Sequence, residues 1–161
     1  MRFEELDREI IEYAPFMLSL SDSADNELTV RIAPACVGEQ SEVTESDEPN
    51  AALRDILNRS RPLLPDEQRA YEITFDNYLI YQVGNESFCS GNPNDKFSGR
   101  FLRIYESSAL LRHLGDFTDA QILEDGTYYP KEWVHYQIIT LNHIIDVVSL
   151  GAPTVNVLPP T

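Results

Sequence analysis

The alternation of apolar and polar side chains divides the chain into short segments. Phe3, Leu6 and Ile10 recur at helical spacing with Ile11 beside them, while Glu4, Arg8 and Glu12 stand four apart on another face, which predicts an amphipathic helix. Phe16–Leu20 and Glu27–Ile32 flank the polar stretch Ser21–Asn26. In the second run Leu28, Val30 and Ile32 alternate with Thr29 and Arg31, so the pair predicts a hairpin. Asn50 is placed to cap a short helix with Leu53, Ile56 and Leu57 on one face, ended by Arg61-Pro62.

From Tyr71 the odd positions through Ile73, Phe75, Leu79, Tyr81 and Val83 form one face of an extended segment. Its length exceeds that of an ordinary strand, so Asp76-Asn77 marks either a bulge or a tight turn. Gly84–Gly99 reads as a long turn-forming loop, a feature that often carries function. Phe101–Tyr105 returns as a strand. Ser107 or Ser108 then caps a short helix, Ala109–Leu114, with Gly115 expected in the left-handed conformation that ends it. In the block Val134–Leu150, the residues Val134, Ile138, Leu141, Ile145 and Val148 fit a helix. The β-branched content and the polar Asn142-His143 fit two antiparallel strands, and the hairpin is the reading preferred here. Val155–Leu158 adds a short edge strand. No β-α-β alternation is visible. The expected fold is therefore α+β: a mainly antiparallel sheet of five to seven short strands with two or three short helices, in one domain over residues 1–161.

Composition narrows the function. With 161 residues, 42% apolar or aromatic, the chain can bury a core without staples. Against 12 Lys and Arg stand 27 Asp and Glu, a net charge of −15, which excludes direct nucleic-acid binding by phosphate neutralisation and attraction to an anionic membrane. No apolar run is long enough to span a bilayer, and the acid-studded first residues do not form a secretory signal, so a cytoplasmic setting is expected. Cys36 and Cys89 have no CxxC partner or neighbouring His, and read as reduced, small, buried residues. Residues 1–50 carry a net −10 of the −15. The densest piece is an exposed, mobile acidic loop at about 38–50, with Glu39, Glu42, Glu45, Asp47 and Glu48 and no base among them.

The familiar catalytic signatures (GxGxxG, GxxxxGK[ST], HExxH, GxSxG, paired CxxC) are missing. His113 falls in the last turn of its helix, His135 is expected half exposed and His143 in turn hydrogen bonds. A hairpin at Asn142 keeps His135 and His143 apart, so neither a metal nor a cofactor is expected. Asp22/Asp25 and Asp116/Asp119 read as solvated turn acids, not as catalytic pairs across a cleft. Tyr128, Tyr129 and Trp133 gather stiff contact area in a turn-rich segment. They suit either interface anchors or a cover over one end of the core.

Three stretches, Ile73–Phe88, Phe101–Ser108 and His135–Ser149, resemble a group of small uncharacterised bacterial proteins in general layout. The resemblance covers residues 71–149, implies a bacterial cytosolic protein and transfers no catalytic residue. In size, acidity and lack of catalytic motif the chain is also similar to toxin-immunity proteins.

The leading expectation is an acidic binding protein that inhibits or regulates a basic protein partner, of the kind a nuclease toxin represents. Glu39, Glu42, Glu45, Asp47 and Glu48 would steer it and Tyr128, Tyr129 and Trp133 would anchor it. The alternative is a small-ligand-binding protein or enzyme with a site under the 84–99 loop near Asn142 and His143.

Overall fold

The structure is a computed structural model and describes residues 1–40, 42–66 and 68–160. Its elements in chain order are α1 (Phe3–Glu9), β1 (Phe16–Asp22), β2 (Leu28–Ala33), β3 (Ala35–Val37), α2 (Ala51–Arg59), β4 (Leu63–Pro65), β5 (Ala70–Phe75) and β6 (Tyr78–Asn85). There follow β7 (Lys96–Ser98), β8 (Leu102–Ser107), α3 (Ala109–Arg112), β9 (Gln121–Ile122), β10 (Tyr128–Tyr129), β11 (Val134–Ile139), β12 (His143–Ser149) and β13 (Thr154–Leu158). The fold is α+β with antiparallel sheets, as expected, but with more strands than five to seven. The extra ones, such as β3, β4, β7, β9 and β10, have two or three residues each, too few for a two-residue period to show in the sequence.

Two sheets carry the architecture. One runs β1-β2-β5-β13 and the other β6-β12-β11-β8-β7. Leu28, Val30, Ile32, Ile73, Phe75 and Val155 of the first meet Leu102, Tyr136, Ile138, Ile145 and Val147 of the second in one buried apolar cluster. Tyr136 is its centre, edge-on to Phe3 at 5.2 Å between ring centroids and 5.6 Å from Phe75. Helix α1 inserts Phe3 and Leu6, with Ile10 at its end, and packs against β13 and β8, one strand from each sheet. Asp7 on that helix orients the start of β8. Its carboxylate accepts hydrogen bonds from the backbone N–H groups of Arg100, Phe101 and Leu102 at 2.8, 2.8 and 2.7 Å.

The ambiguous segments resolve in physically clear ways. Asp76-Asn77 is a turn, and the long alternating run becomes two strands that enter different sheets. Residues 134–149 form the hairpin β11–β12, closed through Thr140, whose hydroxyl accepts the His143 N–H and donates to its carbonyl. Ser108, not Ser107, caps α3 by accepting the Leu111 N–H. Gly115 does not take the left-handed conformation, because the chain continues into a 3-10 turn over Leu114–Asp116. Gly99 does take it, with φ of +92° between β7 and β8. Among the described residues no helix is long and apolar enough to cross a membrane.

Candidate functional site

The outer face of the five-stranded sheet, turned away from the shared core, is where polar chemistry collects. Residues directly opposite on neighbouring antiparallel strands lie on the same face. The register pairs Gln82 with Asp146, Asp146 with Gln137, and Gln137 with Arg103, so one polar row crosses β6, β12, β11 and β8. In the next row Ile80, Val148, His135, Tyr105 and Phe97 stand side by side. Segment 109–133 covers the apolar end of this second row. Leu110, Leu111, Leu114, Ala120 and Trp133 pack with Leu79, Ile80 and Val148 in a smaller cluster of their own.

Between that cover and residues 88–95 lies a recess of about 370 Å³. Its floor includes Gln82, Arg103, Tyr105, His135, Gln137 and Asp146, and its rim includes Phe88, Cys89, Asn92 and Asp95. An ion pair of 3.0 Å between Asp95 and Arg112 ties the rim to α3, and the Glu86 N–H donates to the Asn142 carbonyl at 3.2 Å.

At the floor, Ser108, His135 and Asp146 form a hydrogen-bonded chain. His135 is 2% exposed, stacked on Tyr105 with 4.3 Å between centroids. Its Nδ1 lies 2.8 Å from Ser108 Oγ and its Nε2 lies 3.0 Å from Asp146 Oδ1. The Asp146 carboxylate can only accept, so Nε2 carries the proton it shares; in the neutral ring Nδ1 then accepts the Ser108 hydroxyl proton, while Ser108 Oγ also accepts the Leu111 N–H. Asp146 also accepts from Gln137 Nε2 at 2.8 Å and from Gln82 Nε2 at 3.1 Å, and Gln137 in turn accepts the Tyr105 hydroxyl at 2.8 Å. Burial pushes the Asp146 carboxyl upward, yet the hydrogen bonds from His135 and Gln82, the charge attraction of His135 and the hydrogen bond from Gln137 outweigh it and hold the group below its ordinary range. Burial raises the Tyr105 hydroxyl. Among the described residues every buried side-chain nitrogen and oxygen has a partner, so the floor is a fixed surface.

The chain has the members of a hydrolase triad but not its working arrangement. In that machinery an accessible serine faces Nε2 and the carboxylate orients Nδ1. Here the nitrogens are exchanged, and Ser108 is 1% exposed with its hydroxyl committed to helix capping and to His135. Ser108 is thus a positioning group for the imidazole, not an attacking one.

The expected site residues fall elsewhere. Glu39, Glu42, Glu45 and Asp47 are exposed and Glu48 is half-buried, in a segment strapped along α2. The described residues of this segment are irregular and mostly exposed; Val43 exchanges hydrogen bonds with the Asn58 side chain, Thr44 bonds Asp47, and Arg54 donates to the Glu48 carbonyl. Ser41 of the strap lies outside the described residues. Tyr128 and Trp133 meet edge-to-face at 4.7 Å, with half-buried Trp133 packed into the smaller cluster and Tyr129 exposed. The structure therefore places the strap beside α2 and the aromatics over the five-stranded sheet. Under the 84–99 loop the recess is present, but Asn142 and His143 do not line it. His135, expected half exposed, is buried because its register points it under α3, and Cys36 and Cys89, expected buried, are both exposed and free.

Comparison with protein-family models, with curated proteins and with solved structures finds no match for this chain.

Proposed function

We propose that the chain is a binding protein whose recess on the five-stranded sheet takes a small polar molecule carrying a positively charged N–H donor head. The observation that carries this reading is Asp146, a nearly buried carboxylate that lines the recess and, among the described residues, has no Lys or Arg within hydrogen-bond reach, its one ionisable partner being His135 at 3.0 Å. Its Oδ2 takes one hydrogen bond, from Gln82, and a carboxylate oxygen has room for a second. Arg103, the cation of the floor, lies over the Phe97 ring at 4.1 Å, donates to the Arg100 carbonyl and neighbours the Tyr105 hydroxyl, so its charge is engaged by these groups and not by Asp146. A net charge of −15 adds a field that concentrates cations at the molecule. The volume sits at the low end for ligand pockets, which suits a compact ligand. Two exposed free thiols fit the reducing cytosol.

A second reading, the basic protein partner expected from charge, is favoured by the strap of carboxylates fixed beside α2. The recess reading is tested by thermal shift with arginine amide, agmatine, glucose and acetate. At ten times Kd a cationic probe adds about 1.4 kcal/mol, which raises Tm by a few degrees in a chain of this size. Glucose and acetate leave Tm unchanged, and Gln82→Leu weakens the response. A uniform response to all four probes, or none, refutes the reading.

A further inference from the structure

Helix α2 is mounted the wrong way round for a surface helix. Amphipathic helices ordinarily turn their apolar stripe toward the protein. In α2 the half-buried residues are the polar Arg54 and Asn58, which hold the acidic strap through the Glu48 carbonyl and both backbone groups of Val43. The apolar stripe, Leu53, Ile56 and Leu57, faces solvent at 42%, 62% and 38% exposure. No apolar residue of the helix is buried. The chain uses its polar face as glue and leaves the sticky face open, the reverse of what folding alone would select.

We propose that this outward stripe is a docking surface for a basic amphipathic segment of a protein partner. The proposal rests on the second reading above and assigns its surface. Charge decides the occupant. The strap packed on the polar side of the same helix carries Glu39, Glu42, Glu45, Asp47 and Glu48, none of which forms an ion pair with a basic side chain among the described residues. A second copy of this chain would bring the same carboxylates and another −15, so self-association is opposed, while a segment with apolar anchors at helical spacing and flanking Lys or Arg satisfies both features. Partner side chains cover Leu53, Ile56 and Leu57 and supply stability, and the strap sets approach rate and salt dependence.

The test uses the full chain and three labelled peptides in fluorescence anisotropy: a Leu/Lys amphipathic 14-mer, the same composition scrambled to destroy the apolar stripe, and a Leu/Glu counterpart. The Leu/Lys helix is expected to bind, several-fold more weakly at 300 mM than at 50 mM salt, and the other two are not. Ile56→Ser with Leu53→Ser should weaken binding at least tenfold with little change in Tm, because both side chains are exposed. Glu39→Gln, Glu42→Gln and Glu45→Gln together should flatten the salt dependence. If the Leu/Lys peptide responds to the charge variant but not to the apolar one, the docking surface is wrong while the basic-partner reading survives. Absence of binding overturns both. A dimer in sedimentation that Ile56→Ser dissolves overturns the choice of occupant.

Discussion

Replacing Asp146 by Ala and by Asn separates the roles of its charge and its acceptor oxygens. Three donors converge on this carboxylate: His135 Nε2, Gln137 Nε2 and Gln82 Nε2. In the Ala variant all three lose their acceptor. Gln82 is exposed and Gln137 half-buried, so water can reach both, but His135 is 2% exposed and its N–H is stranded. Leaving a buried donor unsatisfied costs about 1–3 kcal/mol. We therefore expect a loss of about 3 kcal/mol for Asp146→Ala. Asp146→Asn keeps an oxygen for His135 and Gln137, and its amide can face a flipped Gln82, so the loss should be about 1 kcal/mol. Urea denaturation at neutral pH measures both, as midpoint shifts at constant slope. The pH dependence gives a second check. The Asp146 carboxyl is depressed in the folded state, so its contribution is present above the ordinary carboxylate range and lost as pH falls through the folded value. The gap between wild type and Asp146→Asn should accordingly close below about pH 4. Equal losses for Ala and Asn, or a gap that persists at low pH, would refute the proposed network.

Other consequences are simpler to measure. Ser108→Ala removes the α3 cap, worth about 1 kcal/mol, and strands His135 Nδ1 for a similar amount, so urea midpoints should report a loss of about 2 kcal/mol. Asp7→Ala should lose about 2–3 kcal/mol, because three backbone N–H groups at the start of β8 lose a charged acceptor. Gly99→Ala should be destabilised by more than about 1 kcal/mol, since φ is positive there and an added Cβ meets the Leu102 carbonyl oxygen. Both Cys36 and Cys89 should react with a thiol reagent in the native protein without denaturant, whereas slow labelling of either would contradict its exposed position.

Much of the fold is written in local pattern. Leu28, Val30 and Ile32 announce a strand with one buried face, and Asn142-His143 announces the turn that makes 134–149 a hairpin. Pairing between sheets is not local: nothing in Tyr71–Val83 says that its two halves go to opposite layers. The site was partly within reach. A hairpin turning at residues 141–142 pairs Gln137 with Asp146 and puts His135 one diagonal away on the same face. His143, four residues past the Ile139 end of β11, stands opposite Asn85 at the turn end of the hairpin, far from His135 opposite Val148. Ser108 could not be found this way, because its place beside His135 depends on how α3 closes over β11 and β8. The acidic strap was legible as charge but not as structure, since Asn58 and Arg54, which fix it, carry no sign of that duty in their spacing.

Whether the recess over Asp146 takes a cationic head is decided by NMR titration of the ¹⁵N-labelled chain with arginine amide at low salt. Saturable shifts should concentrate on the amides of Gln82, Tyr105, His135, Gln137 and Asp146, which line the recess, and should disappear in Asp146→Asn. Shifts confined to the acidic strap, or unchanged in Asp146→Asn, would contradict a cationic head in the recess.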